Sequence, residues 1–295
     1  WNGSDILLPP TGTTTTSTGT SIIAKPENRG DNDFEIITSV GGCPGNPRHV
    51  IVKALTAASF PNGKSPIANT TCVGSQAVFE GKPEGDNLVF TWQRSRNGGP
   101  WNNVSGGTYN ISNVNDATNG INNSSTLTIL KTDTSMVDDM YRLRANNLAC
   151  GDTTVGVPLQ LNYVWKGRTS TDWSNPSNWY ANEVPGQGCD SVYILSRPYP
   201  FEPTINAGYV APTINNLNVY KNATVTVLGE LQIADHISHW GTGTIIARNG
   251  TLNLNGASGF NQSIDANTFA NNDLFNLNLD NASRTITNKG QLNIY

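Results

Sequence analysis

Apolar positions along this chain recur at every second residue rather than every third or fourth, which predicts strands and not helices. In Leu88-Val-Phe-Thr-Trp-Gln93, Leu88, Phe90 and Trp92 share one face, and Val89, Thr91 and Gln93 share the other. The first face is expected to be buried around Trp92. Short apolar runs at Ser21–Ala24, Gln76–Phe79 and Ser125–Leu130 predict further strands, as do alternating runs that open at Phe34 and Tyr141. The segments between them are rich in Gly, Asn, Ser and Asp, residues suited to turns.

Two stretches carry the same parts in the same order. Phe34-Glu-Ile-Ile-Thr-Ser-Val-Gly-Gly-Cys43 and Tyr141-Arg-Leu-Arg-Ala-Asn-Asn-Leu-Ala-Cys150 each begin on an aromatic and reach a cysteine nine residues on. An acidic turn precedes each, and a strand follows, Arg48 to Lys53 or Val155 to Asn162. The second copy, over residues 56–163, resembles an immunoglobulin-like β-sandwich, with Trp92 as the core tryptophan of the third strand and Asp139-x-Tyr141 as a tyrosine corner. Two positions after Tyr141 stands Leu143, so the usual inter-sheet cysteine is missing. Cys72 and Cys150, at the ends of their strands, are therefore expected to pair. By the same alignment residues 1–55 form the C-terminal half of another sandwich, Trp1 matches Trp92, and Cys43 has its partner upstream. On that alignment the chain begins in mid-domain.

Residues 164–212 change character. Trp165, Trp173 and Trp179 fall within fifteen residues, in Trp165-Lys-Gly-Arg-Thr-Ser-Thr-Asp-Trp173-Ser-Asn-Pro-Ser-Asn178-Trp179. These three are the candidate carbohydrate-binding residues, because flat indole faces stack on the apolar faces of sugars. The competing expectation is a capping core, since tryptophan is mostly buried; on it, Asn178 bonds local backbone. Residues 213–295 carry Leu217-Asn-Val219, Gly229-Glu-Leu231-Gln-Ile233, Gly250-Thr-Leu252-Asn-Leu254, Leu277-Asn-Leu279 and Gly290-Gln-Leu292-Asn-Ile294. Spacings of 60 and 61 residues between the first and last pairs suggest three coils of about 20 residues, a solenoid length. The expected fold class is all-β: immunoglobulin-like sandwiches followed by a right-handed parallel β-helix-like solenoid that the Trp-rich module caps and that continues beyond residue 295. The pattern W-x-G-x(5)-D-W-x(4)-N-W, followed by Val184-Pro185, resembles a module of large surface proteins of Bacteroidetes-type bacteria. That resemblance implies type IX secretion and similarity to gliding-motility adhesins of the SprB type.

Composition narrows the function. Charged residues are 14% of 295, with 18 Lys plus Arg against 22 Asp plus Glu. So weak a field argues against nucleic-acid binding, which needs a dense basic surface. No apolar run reaches the ~18 residues of a membrane span, and no signal peptide precedes Trp1. No pair of cysteines has zinc-site spacing. His236-Ile-Ser-His239 offers two ligands without a third. Glu230, Asp235, Asp265, Asp273 and Asp280 share no register that would join them into an acid/base pair. Asn113-Val-Asn-Asp116 lacks the full calcium-loop pattern, and Arg29-Gly30-Asp31 is read as turn chemistry, not as an integrin ligand.

The expectation is a non-enzymatic extracellular segment of a cell-surface adhesin. It needs no cofactor and no metal; its partners are extracellular, including polysaccharide, together with secretion and outer-membrane anchoring machinery. The alternatives are a carbohydrate-binding or carbohydrate-degrading exoprotein and a structural subunit of an extracellular filament or surface layer.

Overall fold

Period-2 alternation becomes strand at nearly every place it occurs. The computed structural model describes residues 5–8, 21–24, 29–37, 39–40, 42–148, 150–186, 188–196, 200–256, 261–280 and 285–295. Trp1 and the Thr13–Thr16 tract lie outside them.

The first segment contains β1 (Asp5–Leu8), β2 (Ser21–Ala24), β3 (Gly30–Ile36), β4 (Ser39–Val40), β5 (Cys43–Pro44) and β6 (Arg48–Ala54). β3 and β6 form an antiparallel pair from Gly30 opposite Ala54 to Ile36 opposite Arg48. β1 and β2 run parallel to each other. The complete sandwich next to them has no such pair in its smaller sheet.

That sandwich is built from β7 (Asn69–Cys72), β8 (Ala77–Gly81), β9 (Val89–Ser95), β10 (Trp101–Asn103), β11 (Tyr109–Val114), β12 (Ser124–Ile129), β13 (Met140–Asn146), β14 (Gly151–Thr153) and β15 (Val157–Asn162). One sheet has the order β10-β9-β13-β15-β7, with β14 on β13; the other is β11-β12-β8. β7 lies parallel to β15 and the remaining neighbours are antiparallel. This is an immunoglobulin-like arrangement. Trp92 sits between the sheets among Phe79, Leu127, Tyr141, Leu143 and Leu159, all buried. Leu143 fills with hydrocarbon the place where a bridging cysteine was looked for. Trp92 Nε1 donates to Ser125 Oγ at 2.9 Å, so the indole N–H is satisfied inside the core. Val89 faces solvent, as the alternation requires. Gln93 does not: it is buried because Arg142 donates to its carbonyl (2.9 Å) and its amide donates to Asn103 (3.0 Å).

The chain then passes into a β-solenoid of two parallel sheets. Its strands are β16 (Ser191–Ile194), β17 (Thr204–Ile205), β18 (Asn216–Val219), β19 (Thr224–Val227), β20 (Glu230–Ile233), β21 (His236–His239), β22 (Thr244–Leu254), β23 (Gln262–Ile264), β24 (Phe269–Leu279), β25 (Ile286–Asn288) and β26 (Asn293–Ile294). One sheet has the order β16-β18-β21-β23-β25, the other β17-β19-β22-β24-β26, with β20 also on β22. About four turns result. Inward residues stack coil on coil: Val192, Leu217, Ile237 and Ile264 in one column, Leu231, Leu252 and Leu277 in another.

Two expectations about the solenoid change. Its first strands, β16 and β17, precede residue 213, inside the span expected to be the Trp-rich cap; without the G-x-L-x-L pattern nothing marked them as solenoid strands. The 60-residue repeat is also not the stacking period. Leu217 lies in one sheet and Leu277 in the other. The coil advances by twenty residues from Leu217 to Ile237, but by twenty-seven from His236 to Ser263. Any strand with an inward face can carry L-x-L, so the motif marks strands and does not count coils.

Glycine enters this stack for a steric reason. A Cβ on Gly243 would stand 2.2 Å from the carbonyl oxygen of Val219 in the coil below. Positive φ at the corners is supplied by other glycines, such as Gly241 (φ 66°), and by asparagines such as Asn222 (φ 61°), whose side chain accepts from Thr242 Oγ1 at 2.7 Å.

Candidate functional site

The Trp-rich segment is held by its own local chemistry. Asn175 caps a short 3-10 turn, Pro176–Asn178, by accepting from the backbone of Ser177. That turn carries Asn178 inward, where it is fully buried. Its Oδ1 accepts from the backbone N–H groups of Thr169 and Ser170, and its Nδ2 donates to Ser170 Oγ and to the carbonyl of Asp172. A single buried amide thereby fixes the loop that joins the first two tryptophans.

Trp165, Trp173 and Trp179 are brought together, with 4%, 0% and 0% of their surface exposed. Trp179 meets Trp165 at 4.9 Å and Trp173 at 4.8 Å, edge to face in both cases. Trp165 Nε1 donates to the carbonyl of Phe201 and Trp179 Nε1 to that of Trp173. All three belong to the core that continues through Val192, Ile194, Ile205, Leu217 and the later coils. No indole face is free to stack on a sugar. The expectation that these three bind carbohydrate therefore gives way to the capping one: indoles are large enough to cover the apolar end of the coil, and Trp165 and Trp179 bury their N–H groups against carbonyls, while Trp173 Nε1 is buried without a hydrogen-bond partner.

The cysteine pairing also differs. Cys72 is bonded to Cys189, with Cα atoms 5.7 Å apart, whereas Cys150 and Cys43 are exposed free thiols. The reason lies in strand direction. Cys72 ends β7 opposite Asn162, the last residue of β15. β13 runs antiparallel to β15, with Met140 opposite Pro158, so the turn bearing Cys150 is at the far end of the sandwich. The end holding Cys72 is where the chain leaves for the cap, and the loop carrying Cys189 passes over it.

The two bodies also share packing. Val164 is buried in the sandwich core, while its neighbours Tyr163 and Trp165 are buried in the solenoid core. Tyr180, Tyr193 and Leu195 reach back onto the sandwich core. Tyr180 OH donates to Asp138 Oδ2 at 2.8 Å, and Arg168 meets the other oxygen at 3.4 Å. At the opposite end of the sandwich, Arg29 pairs with Asp86 and donates to the carbonyl of Thr118 at 2.7 Å. Asp86 also accepts from the backbone of Thr56 at 2.7 Å, and these donors hold its carboxyl down at about 2. The Arg29-Gly30-Asp31 arginine is thus engaged within the chain.

No family model matches this chain, and no curated protein matches it. Solved structures do. A titin A168–A169 fragment is 18% identical over 39% of this chain, with a TM-score of 0.27. Tandem Ig repeats of Dlar are 19% identical over 38%, also with a TM-score of 0.27. The matches span 57% and 61% of those chains. The immunoglobulin-like assignment rests on the strand order and core described above.

The other candidates are placed as follows. Asp116 spends its carboxylate on the backbone N–H groups of Thr118, Asn119 and Asn122, closing its own loop. His239 Nε2 lies 2.6 Å from the carbonyl of Ala266, and His236 sits beside Asp235 at 3.5 Å. Asp265 pairs with Lys289, Asp273 with Arg248, and Glu230 accepts from Asn253. Among the described residues no three His, Cys, Asp or Glu side chains group as metal ligands, and no helix is long and apolar enough to cross a membrane.

Proposed function

We propose that this chain is a non-enzymatic segment of a secreted cell-surface protein, with adhesive and spacer roles. In it a sandwich and a solenoid form one stiff unit that displays a repetitive polar surface. The observation that carries this reading is the Cys72–Cys189 bridge laid across a boundary that already shares packing. Disulfides persist in oxidising, extracellular compartments. A boundary sealed by both covalent and apolar contacts suits a part that must hold partners at a fixed spacing. The Trp-module resemblance supports the finer reading of a type IX-secreted adhesin related to gliding motility. On this reading the partners are extracellular polymers and the secretion and anchoring machinery, many weak contacts supply avidity, and no cofactor takes part.

The test is proteolytic shaving of intact producing cells, combined with thiol alkylation before lysis. Peptides of this chain should be released without lysis, with Cys72 and Cys189 protected from alkylation until reduction. Recovery from the cytoplasm alone, with both thiols alkylated, overturns the reading.

A further inference from the structure

The outer face of the solenoid carries an aromatic row that the capping tryptophans do not explain. Register places Leu195, Tyr220 and Trp240 in one column, one coil apart, because Ile194 pairs with Val219 and Val219 with His239. Trp240 is 56% exposed. Its ring stacks on Tyr220 at 6.0 Å with 27° between planes, and Tyr220 leans on Tyr193 at 6.4 Å. Tyr220 is itself fixed from the sandwich side by a hydrogen bond with Thr134. An exposed indole stacked on a neighbouring ring has fewer conformations to lose when a ligand arrives, which lowers the cost of binding.

Beside the row runs an open groove of about 660 Å³ between sandwich and solenoid, lined by Arg96, Ser135, Leu195, Tyr220, Lys221 and Asn222. Its ionisable side chains of definite charge are both cationic. The Lys221 stem lies along Gly241, the residue after Trp240, within van der Waals distance of a Cβ built there. Arg96 is half-exposed. It hydrogen-bonds Ser135 at 3.3 Å and stands 3.9 Å from the buried carboxylate of Asp139. It also lines a second hollow of about 290 Å³ with Asn102, Asn103 and Tyr109, so both hollows have Arg96 in their walls.

We infer that this groove binds an acidic polysaccharide, with Trp240, backed by Tyr220, stacking on a sugar ring and Lys221 and Arg96 taking the carboxylates. Aromatic faces select the C–H faces of pyranose rings, the flanking amides and hydroxyls suit sugar hydroxyls, and paired cations complement a chain with regularly spaced anionic charge. A polyglutamate-like acidic peptide satisfies the cations but offers no flat apolar face to the exposed indole. The inference rests on the proposed function only for the extracellular setting in which such polymers are met.

The test is affinity electrophoresis of the whole chain in gels containing polygalacturonate, its methyl ester, dextran or polyglutamate. Polygalacturonate should retard the protein, and the other three should do so at least several-fold less. Trp240→Ala should weaken retardation about tenfold with the melting temperature unchanged. Lys221→Gln and Arg96→Gln should each weaken it several-fold and flatten its salt dependence, whereas Leu148→Ala, on an exposed turn, should change nothing. The inference is overturned if polygalacturonate leaves the wild type unretarded, if Trp240→Ala migrates like wild type, or if polyglutamate retards as strongly. Because shaving reads location and these gels read binding, either result can fail while the other stands.

Discussion

The sandwich and the solenoid are both made of β-strands, yet they protect themselves by opposite means. The sandwich closes a core between two short sheets, tolerates open turns, and buries a charge: Asp139, with no exposed surface, beside Arg94. The solenoid adds coil upon coil with carbonyl oxygens in the corners pressed against glycine, and its buried carboxylate, Asp273, is surrounded by donors from Arg248, Asn293 and Tyr295. In the sandwich, long-range pairing makes each strand depend on the whole. In the solenoid, each coil depends on its neighbours, as expected for a quasi-one-dimensional fold. The lesson is that the two bodies should fail at different kinds of residue.

The largest effect should come from the bond that joins them. Replacing Cys72 and Cys189 with serine opens a loop with a sequence separation of 117; chain-entropy estimates for loops of that size are about 4–5 kcal/mol. Urea unfolding should show the loss, and a single merged transition should split into two as sandwich and solenoid uncouple. Next, Trp179→Ala should cost about 3–5 kcal/mol, in the range for deleting a buried aromatic, and in the protein lacking the disulfide it should act on the solenoid transition alone.

Glycine sharpens the contrast further. Gly243→Ala drives a Cβ into the Val219 carbonyl and should cost about 2–3 kcal/mol by overpacking. Gly98→Ala in the sandwich meets nothing within 4 Å and bears only its positive φ of 72°, a cost of about 1–2 kcal/mol. Melting curves of the two variants check the ranking. If they are equal, the steric account of the coil corners is wrong.

The smallest difference concerns pH. Burial raises the Asp139 carboxyl to about 6 in spite of Arg94. A carboxyl raised in the folded state favours folding below its unfolded value and loses that benefit as pH rises through about 6. Sandwich stability should therefore increase by about 1–2 kcal/mol between pH 7 and pH 4, and Asp139→Asn should abolish that slope. Asp273 is lowered, first by Asn293 and then by Arg248. Its contribution is present above the ordinary carboxylate range and falls away on further acidification. Stability measured against pH in Asp139→Asn and Asp273→Asn separates the trends.

Much of the fold could be read in the chain because alternation is local. The burial of Trp92, Leu143 and Tyr141, and the solenoid that follows, come from patterns a few residues long. The disulfide could not be read this way, because Cys72 and Cys189 are neighbours only once β7, β15 and the cap have taken their places. Nor could the coil count, since L-x-L marks a strand without saying which sheet receives it. The tryptophan cluster showed where indoles would gather but not which way their faces would turn, and burial decided that. The groove beside Trp240 was invisible because its residues come from four separated segments, around positions 96, 135, 195 and 220. A lone Trp after an ordinary strand gave the only signal, and it became legible only when the register put it next to Tyr220.

The bridge has one further consequence, for tension. If the chain is pulled from both sides, the load entering at Cys72 can leave at Cys189 without crossing what lies between. Nearly the whole sandwich and the Trp cap then hang off the stressed path. At about 3.3–3.6 Å per extended residue, a separation of 117 keeps roughly 400 Å of contour length out of reach of the force while the bond is oxidised, and reduction would let it pay out. The core around Trp92 can therefore stay folded under a pull that strips strands from the coils beyond.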